Sequence, residues 1–346
     1  MQKKLYRILA LALTGTLAAG AVQAAELTII SFGGAAQKAQ QAAYYEPFAK
    51  ASGIKVVPGE YNGELAKVKA MVEAQNVSWD VVEMESPELA RGCAEGLFET
   101  LDMKQIGNPA DFVPGAVSPC GVGIFTWSVA LAYNTEKLAN APASWADFWD
   151  VQKFPGKRGL RKGAKYTLEI ALLADGVPMD QVYQVLATPE GVRRAFRKLD
   201  QLKPHIQWWE AGAQPPQWLA AGDVVMSSAY NGRISAAIKE GQKLAVVWNQ
   251  SIYDLDHWAI PKGAKNAKEA LQFIAFASKP ENQKQFSSLI AYGPSNKQAM
   301  AQLDPTVART LPTDPANLEV AMQMGTDFWV ENGEELEEQF NAWAAK

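Results

Sequence analysis

The chain has 346 residues, 48% of them hydrophobic and 20% charged, with a formal net charge of −4. That is enough apolar sequence for one large or two ordinary domains with filled cores, and it excludes the low-hydrophobicity, high-charge composition of a disordered protein. Two His and two Cys without CxxC or HExxH spacing exclude the common zinc sites, and the mild acidity without a long Lys/Arg block excludes a broad nucleic-acid surface, so no metal, cofactor or nucleic-acid partner is expected.

In chain order, Lys3, Lys4 and Arg7 precede an apolar stretch from Ile8 to Ala19 that runs into Val22-Gln23-Ala24. This pattern predicts a secretory signal peptide over residues 1–24, while Thr14, Gly15, Thr16 and Gly20 break the run short of a membrane span. An exported soluble protein follows. Export to an oxidising compartment leads us to expect Cys93 and Cys120 to be paired rather than free.

Leu27 to Phe32 reads as a short apolar strand ending at Gly33-Gly34, followed by Ala- and Gln-rich helical sequence up to Pro47. Ile54 to Val57 is a second strand, Leu65, Val68 and Val72 recur at helical spacing, and Trp79 to Met84 is a third strand. Strands alternating with helices predict an α/β fold with a mostly parallel sheet, and ligands of such sheets sit beyond the strands' carboxyl ends. That directs attention to Phe32, Gly34, Glu85 and Ser86, although paired glycines also suit a simple tight turn and a strand-end serine also suits a helix cap.

Further on, Thr188-Pro189-Glu190 opens a helix with a capping residue and a proline at its first position, and Val192, Phe196, Leu199 and Lys203 follow at helical spacing. Gly222 to Tyr230 is a strand leading to Asn231-Gly232-Arg233, and Ala270, Phe273, Ile274 and Ala277 mark another amphipathic helix. Internal repeats and low-complexity linkers are absent, so two domains would be joined by short crossings and would face one another across a cleft.

Several strings now resemble a family: Trp79-Asp-Val-Val, Gly96-Leu-Phe-Glu-Thr-Leu-Asp102, Leu131-Ala-Tyr-Asn134, Ser144 to Trp149, Phe154-Pro-Gly-Lys157, Tyr230-Asn-Gly232 and Trp258-Ala-Ile-Pro261. Their order along nearly the whole mature chain is similar to that of periplasmic solute-binding proteins of ABC importers, of the spermidine/putrescine-binding type. The resemblance implies a two-lobed, type II-like periplasmic-binding-protein fold, each lobe a mixed sheet flanked by helices, with residues 25–133 and 257–305 in lobe 1 and residues 134–256 and 306–346 in lobe 2. It places the crossings near Tyr133-Asn134 and Asp254 to Trp258. It also implies a periplasmic monomer that delivers its ligand to an inner-membrane ABC permease.

In polyamine-binding members aromatic rings cover the ligand's methylene chain and carboxylates hold its ammonium groups. The matching aromatic positions are Phe32, Tyr230, Tyr253 and Tyr292, with Trp127, Trp208 and Trp209 as further candidates, each equally suited to core packing; Asp256 matches the family's acid at the second crossing, with Asp254 beside it. Two departures matter. Tyr166 stands where polyamine binders carry a carboxylate, which would leave one ligand end without an anion. Arg233, expected at the cleft mouth, would repel a diamine and hold a carboxylate, unless it pairs with a structural acid. One anion and one cation across an aromatic trough suit an ω-amino acid such as 4-aminobutyrate or 5-aminovalerate, with a polyamine (putrescine or spermidine) as the alternative.

Three remaining features read as structural. Tyr44-Tyr45 resembles the tyrosine pair of iron-binding relatives but is read as packing; Lys157, Arg158, Arg161, Lys162 and Lys165 read as a solvated face, with an anion or permease contact as the alternative; and Leu336, Phe340 and Trp343 turn a Glu-rich C-terminal helix inward. No GxSxG, SxxK, Walker or dinucleotide glycine motif occurs, and His205 and His257 have no evident nucleophile partner, so catalysis is not expected.

Overall fold

The computed structural model describes residues 26–346, so the signal peptide expected over residues 1–24 lies outside the described residues. The strands are β1 (Glu26–Ser31), β2 (Lys55–Glu60), β3 (Val81–Glu85), β4 (Gly121–Asn134), β5 (Arg158–Arg161), β6 (Ile206–Trp209), β7 (Met226–Tyr230), β8 (Leu244–Ala259), β9 (Gly293–Pro294) and β10 (Ala321–Gln323). They form one mixed sheet in the order β2-β1-β3-β8-β4-β7-β5-β6, with β9 on β4 and β10 on β8.

Two long strands organise the molecule. β4 and β8 run antiparallel along their whole length, Gly121 opposite Ala259 at one end and Asn134 opposite Leu244 at the other. The far edge of β8 carries β3 at Asp256–Ala259 but β10 at Ser251–Tyr253, while β4 carries β9 at Phe125–Thr126 and β7 at Val129–Tyr133. The ribbon therefore belongs to two half-sheets, the two lobes of an α/β fold. Neighbours change in β8 between Tyr253 and Asp256, within reach of the expected second crossing. In β4 they change between Thr126 and Val129; Tyr133, expected at the first crossing, is already paired with Met226 of β7.

Local sequence explains the elements that matter for the site. β3 is buried at every position, as a central strand covered on both faces must be, yet it contains Glu83 and Glu85. Two residues apart, they project from the same face. Thr188 caps the helix Pro189–Leu202, its hydroxyl accepting from the Gly191 N–H at 3.0 Å. The helix Thr326–Ala344 buries Trp329, Leu336 and Phe340. Tyr44 and Tyr45 are buried in a single π-helical turn, Gln41–Tyr45, where Tyr44 stacks on Phe286 at 5.3 Å. Cys93 and Cys120 are disulfide-bonded with Cα atoms 5.8 Å apart, tying the helix Ser86–Ala94 to the entry of β4.

The basic stretch is not a solvated face. Arg158 is fully buried and caps the carbonyls of Phe148 and Phe154 at 2.8 and 2.6 Å, and Lys165 is buried among acids, leaving Lys157 and Lys162 exposed. A guanidinium and an ammonium can be buried only where acceptors satisfy them: backbone carbonyls within ten residues serve Arg158, whereas the acids that serve Lys165 lie 80 and 77 positions away.

Candidate binding site

The ends of β1, β3 and β7 and the middle of the β4–β8 ribbon converge on one cavity. Register brings its walls together: Asp256 lies between Glu85 of β3 and Phe125 of β4, and Val129 of β4 faces Tyr230 of β7. Phe32, Ala36, Glu83, Glu85, Phe125, Trp127, Tyr230, Arg233, Asp256 and Tyr292 line it, around about 20 Å³ of free space. That is room for about one water, so a ligand of four or five carbons enters only as the lobes part or the lining side chains swing aside.

Two carboxyls meet on the floor. Oε2 of Glu83 accepts from Nε2 of Gln40 at 3.0 Å and from the Phe32 N–H at 3.4 Å, while Oδ1 of Asp256 accepts from the Trp127 indole N–H at 2.7 Å. The two side chains project from one face of the β3–β8 ladder, Glu83 opposite Trp258 and Asp256 opposite Glu85, and line the same cavity. Burial pushes both above the usual carboxylate range, Asp256 further because of the charge on Glu83.

Glu85 is arranged differently. Its Oε2 accepts from the Lys165 ammonium and from the Tyr166 hydroxyl, each at 2.6 Å. Burial opposes its ionisation, but Lys165 and Arg161 outweigh burial and hold it below its ordinary value. Tyr166, expected at the ligand, donates to Glu85 instead, and the charge of that carboxylate is already matched by Lys165.

Arg233 sits in the first turn of the helix Asn231–Lys239. Its guanidinium donates to the carbonyls of Gly33 and Phe32 at 2.5 and 3.1 Å, leaving Nε buried and without a partner. Gly34 makes this approach possible, because a Cβ there would collide with the guanidinium; its φ of 58° also suits glycine. The Tyr-Asn-Gly string has a similar reason. Asn231 accepts from the Ser128 N–H at 2.9 Å and donates to the Ala291 carbonyl at 2.5 Å, while a Cβ on Gly232 would strike the Tyr292 ring. Arg233 is thus held deep in the cleft, 5% exposed, rather than at its mouth.

Aromatic rings make the walls. Tyr292 stacks on Phe125 with centroids 4.7 Å apart, and Trp127 stands edge-on to Tyr230 at 5.1 Å. Of the expected residues, Phe32, Glu85, Trp127, Tyr230, Arg233, Asp256 and Tyr292 come together at the cavity. Tyr166 and Trp209 stand behind them, Trp209 donating to the Ser228 hydroxyl at 3.2 Å. Three groups lie elsewhere. Trp208 packs against Phe340 and Trp343, Tyr253 is half-buried beside Gln323, and Ser86 with Asp254 lines a different cavity, Asp254 accepting the Ser86 N–H at 3.2 Å. Burial pushes Asp254 up to about 7.

Sequence reasoning missed Glu83 and Phe125, and read Lys165 as part of a solvated face. Glu83 had a readable signal, since two acids at alternate positions of an otherwise apolar strand mark a polar face inside a sheet. Phe125 and Lys165 had none: their places follow from β4–β8 register and from packing between the lobes.

The family model for bacterial extracellular solute-binding proteins matches residues 43–316. The chain is 65% identical to a gamma-aminobutyric acid-binding protein of Pseudomonas aeruginosa, covering 95% of this chain and 94% of that one. A spermidine/putrescine-binding periplasmic protein of Escherichia coli is 24% identical, with 76% of each chain covered. Among solved structures, a GABA receptor superposes with a TM-score of 0.82 at 37% identity, over 93% of this chain and 98% of that one. With the two half-sheets and the cleft between them, these similarities establish that the chain belongs to the bacterial extracellular solute-binding protein family.

Proposed function

We propose that the protein captures a small ω-amino acid, 4-aminobutyrate or 5-aminovalerate, in the periplasm and hands it unchanged to an inner-membrane ABC permease. The observation that carries this reading is one guanidinium, Arg233, and a carboxyl pair, Asp256 with Glu83, lining the same aromatic cavity. In this reading Asp256 takes the ligand's ammonium, Arg233 takes its carboxylate through charge-assisted hydrogen bonds, and the rings of Phe32, Trp127, Tyr230 and Tyr292 cover the methylene chain. The 65% identity to a gamma-aminobutyric acid-binding protein supports the same ligand class. Neither the relatives' names nor the cleft geometry suggests chemistry on the ligand, and no helix among the described residues is long and apolar enough to cross a membrane.

A polyamine is the second reading, favoured by the number of acids in the cavity. Against it, Glu85 is already matched by Lys165, and Arg233 lines the same cavity, where its charge repels a second ammonium. Calorimetry with 4-aminobutyrate and putrescine separates the two. Asp256→Ala and Arg233→Ala should each cost 4-aminobutyrate about 2–5 kcal/mol, because either leaves a desolvated ligand charge unpaired. Arg233→Ala should leave putrescine binding unchanged or improved; tighter putrescine than 4-aminobutyrate binding in the wild type would favour the polyamine.

A further inference from the structure

A hydrogen-bond chain ends on the cleft floor with more acceptors than donors. The Tyr45 hydroxyl donates to Oε1 of Gln40 at 2.9 Å, which fixes the Gln40 amide so that its Nε2 donates to Oε2 of Glu83. The π-helical turn is what sets Gln40 and Tyr45 on the same side. Glu83 is fully buried, Asp256 is 4% exposed, and Oε1 of Glu83 receives no donor from any amide, hydroxyl or ammonium group. The Asp256 carboxyl stands diagonally across the β3–β8 ladder from Glu83 on the same face and lines the same cavity, and its Oδ1 is already taken by Trp127. Two carboxylates buried on one face of one small cavity repel each other when both are ionised, and a proton on either removes that repulsion and lets it donate to the other.

We infer that Glu83 and Asp256 hold one proton between them in the ligand-free cleft and that a primary ammonium arriving at Asp256 displaces it, so that capture of one ligand releases one proton. The inference rests on the proposed placement of the ammonium at Asp256. The proton passes to solvent, and the pair gains one negative charge as it receives one positive charge. Glu83 thereby becomes a specificity-determining residue: a neutral amide or alcohol in the same place cannot compensate the second carboxylate, and the pair keeps its proton.

The surrounding groups leave this pair as the responsive one. Arg233, from the helix Asn231–Lys239, favours ionisation of Glu83. Glu85 lies beside Asp256 on β3 and opposes its ionisation, but is itself matched by Lys165 and Arg161. Glu88 reaches Lys165 at 2.6 Å. The phenols of Tyr44, Tyr45, Tyr61 and Tyr292 face the pair, and burial keeps each of them neutral.

The test is calorimetry of 4-aminobutyrate binding between pH 6 and pH 8, in buffers of different ionisation enthalpy, on wild type and Glu83→Gln. Over this range 4-aminobutyrate keeps both charges, so any pH slope belongs to the protein. The wild type should release about one proton per ligand, its affinity rising up to about tenfold per pH unit, and Glu83→Gln should lose both effects. No proton release in the wild type, or release that persists in Glu83→Gln, overturns the inference while leaving the ligand reading intact. Failure of 4-aminobutyrate to bind removes the ligand reading instead, and the same titration with putrescine, also a primary ammonium, then decides the proton. Infrared spectroscopy needs no ligand. A protonated-carboxyl band of the wild type at pH 7, beyond those of Glu169 and Asp254, should vanish in the Glu83→Gln/Asp256→Asn double variant, and its absence from the wild type or its persistence in the double variant overturns the inference.

Discussion

Lys165 provides the sharpest prediction about how the cleft closes. Its ammonium lies 2.6 Å from Oε2 of Glu85 and 2.6 Å from Oε1 of Glu88, with the Lys165 and Glu85 side chains 7% and 6% exposed and Glu88 22%. Lys165 follows β5 in one half-sheet, whereas the acids close β3 and open the helix Ser86–Ala94 in the other. Breaking a buried pair from one side costs about 3–5 kcal/mol. Glu85 keeps the Tyr166 hydroxyl and Arg161 nearby, so the lower end applies to Lys165→Met, about 3 kcal/mol. Opening the lobes lets Glu85 regain water, so this cost falls on the closed form. If it falls there entirely, the apparent affinity for 4-aminobutyrate should drop by about 100-fold, whereas the urea midpoint moves by much less than the same energy would imply. Small-angle scattering should find the ligand-free variant more expanded than the wild type. The sign with pH is fixed as well: because the folded-state pKa of Glu85 lies below its unfolded value, its contribution is present above the unfolded pKa and is lost as pH falls through the folded one. A Lys165→Met protein with affinity within threefold of wild type and an unchanged radius would refute a role of the Lys165 ion pairs in holding the lobes together.

Three further outcomes follow from other parts of the molecule. Reducing the Cys93–Cys120 bond, or replacing both with Ser, should lower stability by about 3.5 kcal/mol on the loop-entropy account of a 27-residue separation; equal denaturant midpoints for both forms would contradict it. Gly34→Ala should cost about 1–2 kcal/mol of stability for its left-handed backbone and, by pushing the Arg233 guanidinium off the Gly33 and Phe32 carbonyls, at least tenfold in 4-aminobutyrate affinity measured by calorimetry; wild-type affinity would separate Arg233 from the ligand. Glu169 is fully buried, accepts from Trp329 at 2.6 Å and is pushed by burial up to about 7 from 4.5. A carboxyl raised on folding contributes stability that is lost as pH rises through its folded value, so the stability of Glu169→Gln relative to wild type should grow by about 2–3 kcal/mol between pH 5 and pH 8, and a flat difference would argue against a raised Glu169.

The sequence made the elements with strong local signals readable. The first three strands, the Thr188-capped helix and the inward face of the C-terminal helix all carry periodicity or a cap within a few residues. The site was legible where ordered strings fixed a residue, as at Asp256, Tyr230 and Arg233. It was not legible where partners lie far apart in the chain. Lys165 reads as one more surface cation until the fold brings Glu85 and Glu88, 80 and 77 positions away, to its ammonium. Trp208 and Trp209 illustrate the same limit. Adjacent strand residues face opposite sides, so Trp209 backs Tyr230 while Trp208 joins the C-terminal helix, and nothing local to the pair says which face meets the cleft.

A crystal structure of the protein soaked with 4-aminobutyrate tests the central claim most directly, because it reads the ligand's orientation rather than its affinity. The ammonium should lie within hydrogen-bond distance of Asp256 and Glu83, the carboxylate on the Arg233 guanidinium, and the methylene chain between Phe32, Trp127, Tyr230 and Tyr292. A ligand bound with its carboxylate turned away from Arg233, or outside this cleft altogether, would contradict the account.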